Sequence, residues 1–228
     1  MTEREKIFGR IQEALTVVAP VPGHHGHAKP AAHKTSPASQ ARQWLPPVAD
    51  SFEDQLACFR ENAANLKADF YFVNGPEQLS KLLLELRDTQ GWKKIASHTG
   101  ELTEAACCTL ALPVCKTDQA YNVTELESCD AGITECDALI AQTGSVLVTN
   151  RSAGGRALSV LPPHHLVIAR RDQLLRDLPA AFQFLKQKYG ANYPSMMSFI
   201  TGPSRTGDIE RILVLGAHGP KKLTIFLV

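Results

Sequence analysis

The chain has 228 residues, which is long enough to bury a sizeable core and fits one domain of about 150 to 200 residues with an appendage. Hydrophobic residues at 44% and charged residues at 21% are ordinary for a soluble globular protein. The formal net charge is +1, and no long basic run carries interleaved aromatic residues. These features argue against a nucleic-acid partner and favour a small-molecule or protein partner.

The amino terminus, MTEREKIFGRIQEAL, is charged and has the apolar spacing of a helix. It lacks the pattern of a signal peptide, and no apolar run approaches the roughly 18 residues that cross a bilayer. We therefore expect a cytoplasmic protein with no membrane partner. The six cysteines show no CxxC spacing, which predicts reduced, buried thiols rather than a disulfide framework or a closed zinc site.

Residues 20–50 are rich in proline, alanine and serine and nearly lack branched apolar residues, so we predict a linker or an extended strap. With the amino-terminal helix, this segment makes up the predicted region 1–50, and residues 51–228 make up the folded domain. Four histidines in the segment can either ligate a transition metal or be solvated, and we assign no metal site to them. They are His24, His25, His27 and His33.

After Asp50 the pattern alternates between helices and strands. The predicted helices cover 52–67, 75–91, about 101–111 and 178–189, and the predicted strands cover 69–73, 93–97, 164–170, 196–200 and 222–228. We predict a further helix in the segment GITECDALIA, residues 132–141. Strands that alternate with helices imply right-handed crossovers and a mainly parallel sheet covered on both faces. The predicted fold class is α/β, with a Rossmann-like appearance.

Ligands of open α/β sheets bind outside the carboxyl ends of the strands, and three loops are candidates for this position. They cover residues 132–145, 149–156 and 201–208. None carries a dinucleotide or Walker fingerprint, so we do not expect NAD or P-loop chemistry. The candidate ligand-binding residues in the first two loops are Thr143, Gly144, Ser145, Gly154 and Arg156.

The third loop brings free N–H groups, a guanidinium and two hydroxyls to the start of a helix predicted near Gly207. Its candidate residues are Gly202, Ser204, Arg205, Thr206 and Asp208. Such a corner can bind a small carboxylate or phosphate. The carboxylate of Asp208 leaves three alternatives open, namely a hydroxyl-bearing ligand, a basic residue of a partner protein and a simple pairing with Arg205 in a structural turn.

Two residues are candidates for catalysis. His218 lies in a glycine-containing loop before the last strand, where it can protonate or orient a ligand near neutral pH, or simply satisfy a carbonyl in a tight turn. Glu135 begins the helix predicted over 132–141, where it is either a first-turn charge or a catalytic carboxylate. The pair His164 and His165 begins a strand, so at most one of the two faces a pocket.

Three segments together closely resemble the LUD-domain proteins of the LutC/YkgG type, the lactate utilization protein C family. They are GITECDALIAQTGSVLV from Gly132, RALSVLPPHHLVIARRDQL from Arg156 and GPSRTGDIERILVLGAHGPKKLTIFLV from Gly202. The resemblance covers roughly the last hundred residues, and its most specific parts are GPSRTxDIE and HGP. Gln142 is a departure, because many members of the family carry glutamate at this place.

The resemblance implies a fold of the NagB/RpiA/CoA-transferase-like superfamily and a role in the oxidation of L-lactate to pyruvate beside iron–sulfur partner subunits. This chain has no cysteine pattern for an iron–sulfur cluster and no flavin or nicotinamide fingerprint. We therefore name no cofactor and expect a non-redox component of such a system. The alternative is a stand-alone enzyme or binder that acts on a phosphorylated or CoA-linked small molecule.

Overall fold

The computed structural model describes residues 7–10, 12, 16, 46–206, 214–215 and 218–228. The chain divides into two units, residues 1–43 and 44–228. In the first unit, residues 7–10, 12 and 16 are helical, whereas the four histidines of the predicted linker lie outside the described residues. Within the described ranges, no helix combines the length and apolar character needed to span a membrane.

Six parallel strands form the central sheet of the second unit, in the order β1-β12-β7-β4-β2-β3 when strands are numbered along the chain. They are β1 (Asp69–Phe72), β2 (Ile95–Ser97), β3 (Val114–Lys116), β4 (Ala131–Thr134), β7 (His164–Ala169) and β12 (Lys222–Leu227). Every residue of β4 and β7 is buried, as is typical of parallel strands with both faces covered. The predicted α/β fold with a mainly parallel sheet is confirmed.

Five α-helices of this unit are described, and their ends follow local sequence signals. They are α1 (Phe52–Asn65), α2 (Pro76–Gln90), α3 (Glu101–Leu110), α4 (Val123–Glu127) and α5 (Leu178–Tyr189). The side chain of Ser51 caps α1, and that of Asp177 caps α5, each by accepting a backbone N–H of the first turn. Helix α2 begins with Pro76 and ends at Gly91 in the left-handed conformation.

A second sheet of four strands, in the order β8-β5-β6-β9, was not predicted. Its strands are β5 (Ala138–Ile140), β6 (Ser145–Thr149), β8 (Leu174–Leu175) and β9 (Met197–Ile200). The helix predicted over 132–141 is therefore wrong, because this segment forms β4 and β5 with Glu135 to Asp137 between them. A short, fully buried apolar run has the same periodicity in a strand and in a helix, and both β4 and β5 are completely buried, so the sequence carries no distinguishing signal.

The two sheets and the helices form successive layers, and four clusters of buried hydrophobic residues are described between them. In β7, Leu166 and Ile168 pack with helices α2 and α3 on one face of the central sheet. Val167 and Ala169 pack on the other face with helix α1 and with β5 and β6 of the second sheet. Helix α5 covers the far side of the second sheet. Beyond these layers, β10 (Arg205–Thr206) and β11 (Val214–Leu215) pair as a small antiparallel ribbon.

The paired histidines at the start of β7 are both buried, at 4% and 1% exposure. His164 Nε2 lies 2.8 Å from Thr224 Oγ1, and His165 Nε2 lies 2.9 Å from Thr134 Oγ1. His164 also lines a cavity of about 200 Å³ together with Trp92. Burial lowers the pKa of His164 to about 4 and the pKa of His165 to about 3, helped by the neighbouring Lys222 and His164 charges respectively. Both rings are therefore neutral at pH 7.

We expect the stability of the protein to fall as the pH is lowered from about 6.5 to about 4. In this window the unfolded chain protonates both histidines, whereas the folded chain does not, so the free energy of unfolding drops by at most about 1.4 kcal/mol per pH unit for each ring. Urea unfolding across this pH range measures the slope. The change His165→Gln keeps a hydrogen-bonding nitrogen for Thr134 and removes one titration, so an unchanged slope in this variant would contradict the prediction.

Candidate functional site

The connections between the central strands diverge between β2 and β4. From β2 the chain continues outward to the edge strand β3, whereas from β4 it continues in the opposite direction to β7 and then β12. Open α/β sheets bind ligands in the crevice that such a divergence creates at the carboxyl ends of the two strands. The residues that directly follow these strands are His98 and Glu135.

The carboxylate of Glu135 is held in this crevice by two donors. Oε1 accepts the N–H of Leu102 in the first turn of α3 at 2.9 Å, and Oε2 lies 3.4 Å from Nη1 of Arg170. Arg170 also pairs with Glu101 at 2.8 Å. A Cβ atom at Gly100 would lie 2.5 Å from Oε1, so the absence of a side chain there allows the carboxylate to approach the helix N-terminus.

The imidazole of His98 joins the ends of β2 and β4. Its Nε2 lies 3.2 Å from the N–H of Glu135, and its Nδ1 lies 3.1 Å from the carbonyl oxygen of Thr99. Because a backbone N–H can only donate, the hydrogen-bond pattern assigns the proton to Nδ1 and an acceptor lone pair to Nε2. Burial lowers the pKa of His98, in agreement with this neutral tautomer.

A cavity of about 320 Å³ opens beside His98, between the loops that follow β2 and β3 and the loop of residues 149–155. Asp118 lines it and accepts the N–H of Thr99 at 2.9 Å. Burial raises the pKa of Asp118, but hydrogen bonds from Thr99 lower it more, so that this pKa lies below its ordinary value. Arg151 lines the same cavity. The cavity thus offers a carboxylate and a guanidinium, a combination suited to a small ligand with hydroxyl and acid groups.

Gly154 forms the part of the cavity wall that packs on His98. Its φ is +60°, and a Cβ atom there would lie 2.3 Å from the Cβ of His98. Its carbonyl oxygen accepts the hydroxyl of Thr117 at 2.6 Å. The predicted ligand residue Gly154 therefore lies in the cavity, and the predicted catalytic residue Glu135 lies in the adjoining crevice. Arg156 instead donates to the carbonyl of Ser195 at 3.1 Å.

Most of the other predicted site residues gather near the carboxyl-terminal end of α1. The group consists of Thr143, Gly144, Ser145, Gly202, Ser204 and Arg205. A Cβ at Gly144 would lie 2.8 Å from the Cβ of Asn62, and one at Gly202 would lie 2.9 Å from the carbonyl oxygen of Leu66. The hydroxyls of Ser145 and Thr201 are 2.8 Å apart. These glycines therefore have a packing role against α1.

The loop of residues 218–221 joins this group, because Ser204 donates its N–H to the carbonyl of Pro220 at 2.9 Å. This loop enters the first residue of β12, so the corner lies at the amino ends of the parallel strands of the central sheet. The sequence analysis predicted this corner at the carboxyl ends of the strands, and this part of the prediction is wrong. Arg205 and His218 are exposed. That these residues bind a ligand stays a prediction.

The remaining candidates of this corner are Thr206 and Asp208. Thr206 belongs to the short strand β10 and pairs with Val214 of β11. Asp208 and the helix predicted from Gly207 lie outside the described residues.

Four titratable or charged residues of the crevice and cavity were not among the predicted site residues: His98, Asp118, Arg151 and Arg170. Arg151 lies in the loop 149–156, which the sequence did indicate. His98 and Arg170 directly follow β2 and β7, two strands that the sequence pattern predicts. The rule that ligands lie at carboxyl ends of strands was therefore sufficient to find them. Asp118 follows β3, and this three-residue strand is too short to give a periodic signal.

The parallel sheet and the divergence at β2 and β4 define an open, Rossmann-like α/β protein, with a polar crevice at the place where such sheets bind ligands. A profile of the LUD domain matches residues 56–228, and the chain belongs to this family. The resemblance seen in the sequence is thus confirmed. The crystal structure of a DUF162 family protein from Deinococcus radiodurans has the same fold, with a TM-score of 0.61 and 20% identity over 78% of this chain and 98% of that chain.

Several curated relatives are named lactate utilization protein C. The one from Geobacillus thermodenitrificans is 25% identical over 201 residues, which cover 82% of this chain and 84% of that protein. The one from Shouchella clausii is 34% identical over 112 residues, 49% of each chain. The one from Bacillus subtilis is 33% identical over 109 residues, 47% of this chain and 45% of that protein. The chain thus matches about half the length of the last two relatives.

We expect Gly154→Ala to destabilise the protein more than Gly91→Ala. Both residues have a left-handed φ, of +60° and +68°, but a Cβ at Gly91 meets nothing within 4 Å. Alanine in this conformation costs about 1 to 2 kcal/mol, and overlap with His98 adds to it at Gly154, for a total loss of about 3 kcal/mol or more. Urea unfolding of the two variants measures the difference. If both variants lose the same free energy of unfolding, the cavity wall can move to accommodate the added Cβ atom, and the prediction is wrong.

Proposed function

We propose that this chain is a non-redox component of an L-lactate utilisation system that converts lactate to pyruvate, and that it acts with iron–sulfur partner proteins. The names of its relatives support the assignment to lactate utilisation. Oxidation of lactate to pyruvate removes two electrons and two protons. In this proposal the iron–sulfur partners accept the electrons, and this chain binds and orients the small acid.

The state of the thiols supports the non-redox role. Burial raises the pKa of five cysteines, and it raises that of Cys129 to about 11; the five are Cys58, Cys107, Cys115, Cys129 and Cys136. Iron–sulfur clusters are held by thiolates, and a raised pKa favours the protonated thiol over the thiolate. Within the described part of the chain, no three or more His, Cys, Asp or Glu side chains are grouped so that they could hold a metal ion. These five cysteines lie in or pack against the hydrophobic cores, whereas Cys108 is exposed, contrary to the prediction of buried thiols.

The cavity beside His98 supports a binding role for a small acid. The guanidinium of Arg151 is suited to a carboxylate, and the carboxylate of Asp118 can accept a hydroxyl. A volume of about 320 Å³ is larger than lactate requires. This volume favours a second candidate function, in which the chain alone binds or transforms a larger phosphorylated or CoA-linked molecule.

Growth of the native host on L-lactate tests the first proposal. Deletion of the gene should abolish this growth while growth on pyruvate continues, because only the oxidation step is lost. The wild-type gene should restore growth, and Asp118→Asn and Arg151→Gln should each restore at most about one tenth of the rate, because each change removes a charged hydrogen-bonding partner of the ligand. Lys81→Gln on the exposed face of α2 is the matched control and should restore growth fully.

Unchanged growth of the deletion strain on L-lactate would overturn the proposal. Co-purification with iron–sulfur proteins from cells grown on L-lactate should accompany the growth result. Calorimetry of the isolated chain with coenzyme A and with a sugar phosphate tests the second candidate, which predicts tight binding that Arg151→Gln weakens.

A further inference from the structure

A buried carboxylate lies behind the cavity wall, at Asp137 between β4 and β5. Its side chain is fully buried, and Oδ1 accepts both Nζ of Lys188 at 2.7 Å and the hydroxyl of Tyr189 at 2.6 Å. The other oxygen, Oδ2, is buried without a partner in hydrogen-bond geometry, although the hydroxyls of Ser152 and Thr149 lie close enough to help Lys188 and Tyr189 lower the pKa of Asp137 against the effect of its burial. Burial of a carboxylate with one unpaired oxygen is costly, and an apolar side chain would fill the same volume at less cost. Packing alone therefore does not account for this residue.

Hydrogen bonds connect this carboxylate to the 149–155 loop through Tyr189. The hydroxyl of Tyr189 lies 3.3 Å from Oγ1 of Thr149. That Oγ1 accepts the N–H groups of Arg151 and Ser152, both at 3.2 Å. The N–H of Thr149 in turn donates to Oγ of Ser152 at 2.9 Å. One threonine hydroxyl thus closes the turn of the loop and reaches the phenol that Asp137 holds.

The same loop supplies one wall of the cavity, including Arg151 and Gly154. The guanidinium of Arg151 lies 5.4 Å from the centre of the Tyr189 ring and donates to Asn192 at 2.9 Å. The N–H of Gly155 donates to the carbonyl of Asn150 at 2.9 Å, which makes the loop a single compact turn. A displacement of Thr149 would therefore move Arg151 and the wall that packs on His98.

We propose that Asp137 is a positioning residue for the cavity. Its carboxylate orients the Tyr189 hydroxyl, this hydroxyl fixes Thr149, and Thr149 holds the 149–155 loop in the conformation that presents Arg151 to the ligand. The inference rests on the cavity being the ligand site of the proposed function, and it is independent of which ligand binds there.

Hydrogen exchange of the loop amides, measured on the full chain, tests the proposal directly. Tyr189→Phe and Thr149→Val each remove one hydroxyl of the relay, and each should make the amides of Arg151 and Ser152 exchange about tenfold faster, as expected for the loss of one hydrogen bond. The amides of β7 in the central sheet should exchange as in the wild type. Asp137→Asn should have the same effect on the loop as Tyr189→Phe.

Two conservative variants distinguish positioning from general stability. Thr149→Ser keeps the hydroxyl and should restore wild-type exchange in the loop. Tyr193→Phe removes a hydroxyl from an exposed tyrosine and should change nothing. If Tyr189→Phe and Thr149→Val leave the loop amides unchanged, the proposal is overturned, and this outcome stands even if Asp137→Asn does not fold.

Growth on L-lactate separates this proposal from the proposed function. Faster loop exchange with impaired growth in Tyr189→Phe supports both. Faster loop exchange with normal growth supports the positioning of the loop and overturns the role of the cavity in lactate utilisation.

Discussion

The burial of β4 and β7 on both faces is the constraint on which the rest of the structure depends. Parallel strands require cover on each side, and helices α2 and α3 supply it on only one. On the other face, the central sheet is covered by helix α1 and by the second sheet, whose strands β5 and β6 lie between β4 and β7 in the chain. The connections from β2 and β4 therefore leave on opposite faces, and the crevice between them follows from how the core is covered.

Polar groups in the crevice are fixed before any ligand arrives. The carboxylate of Glu135 is held by a helix N-terminus and by Arg170, and the ring of His98 is held in one neutral tautomer by two backbone groups. Such groups need little reorganisation on binding, which favours affinity and orientation. The adjoining cavity depends on the 149–155 loop, which is held by hydrogen bonds between its own residues and by the contact of Thr149 with Tyr189 of α5.

The segments that most closely resemble the family lie at two opposite edges of the sheet. The segment from Gly132 passes through the crevice, whereas GPSRT and HGP meet at the amino ends of the strands. At that edge, Gly144 and Gly202 approach α1 so closely that a side chain would collide with it. A glycine-rich corner can therefore reflect the close approach of two backbones, and its composition alone does not distinguish packing from ligand binding.

The sequence by itself determined the fold class, because helices with capped ends and strands in alternation leave few topologies open. It also indicated Glu135 and Gly154, because both lie in the two segments, 132–145 and 149–156, that were candidates for ligand-binding loops. Only the tertiary structure decided that 138–140 is a strand, because a short buried run has no distinguishing period. Strand order, the edge on which each loop lies and the convergence of His98, Asp118 and Arg151 likewise depend on contacts between distant segments. Local sequence patterns carry no information about such contacts, since they arise when the sheet assembles.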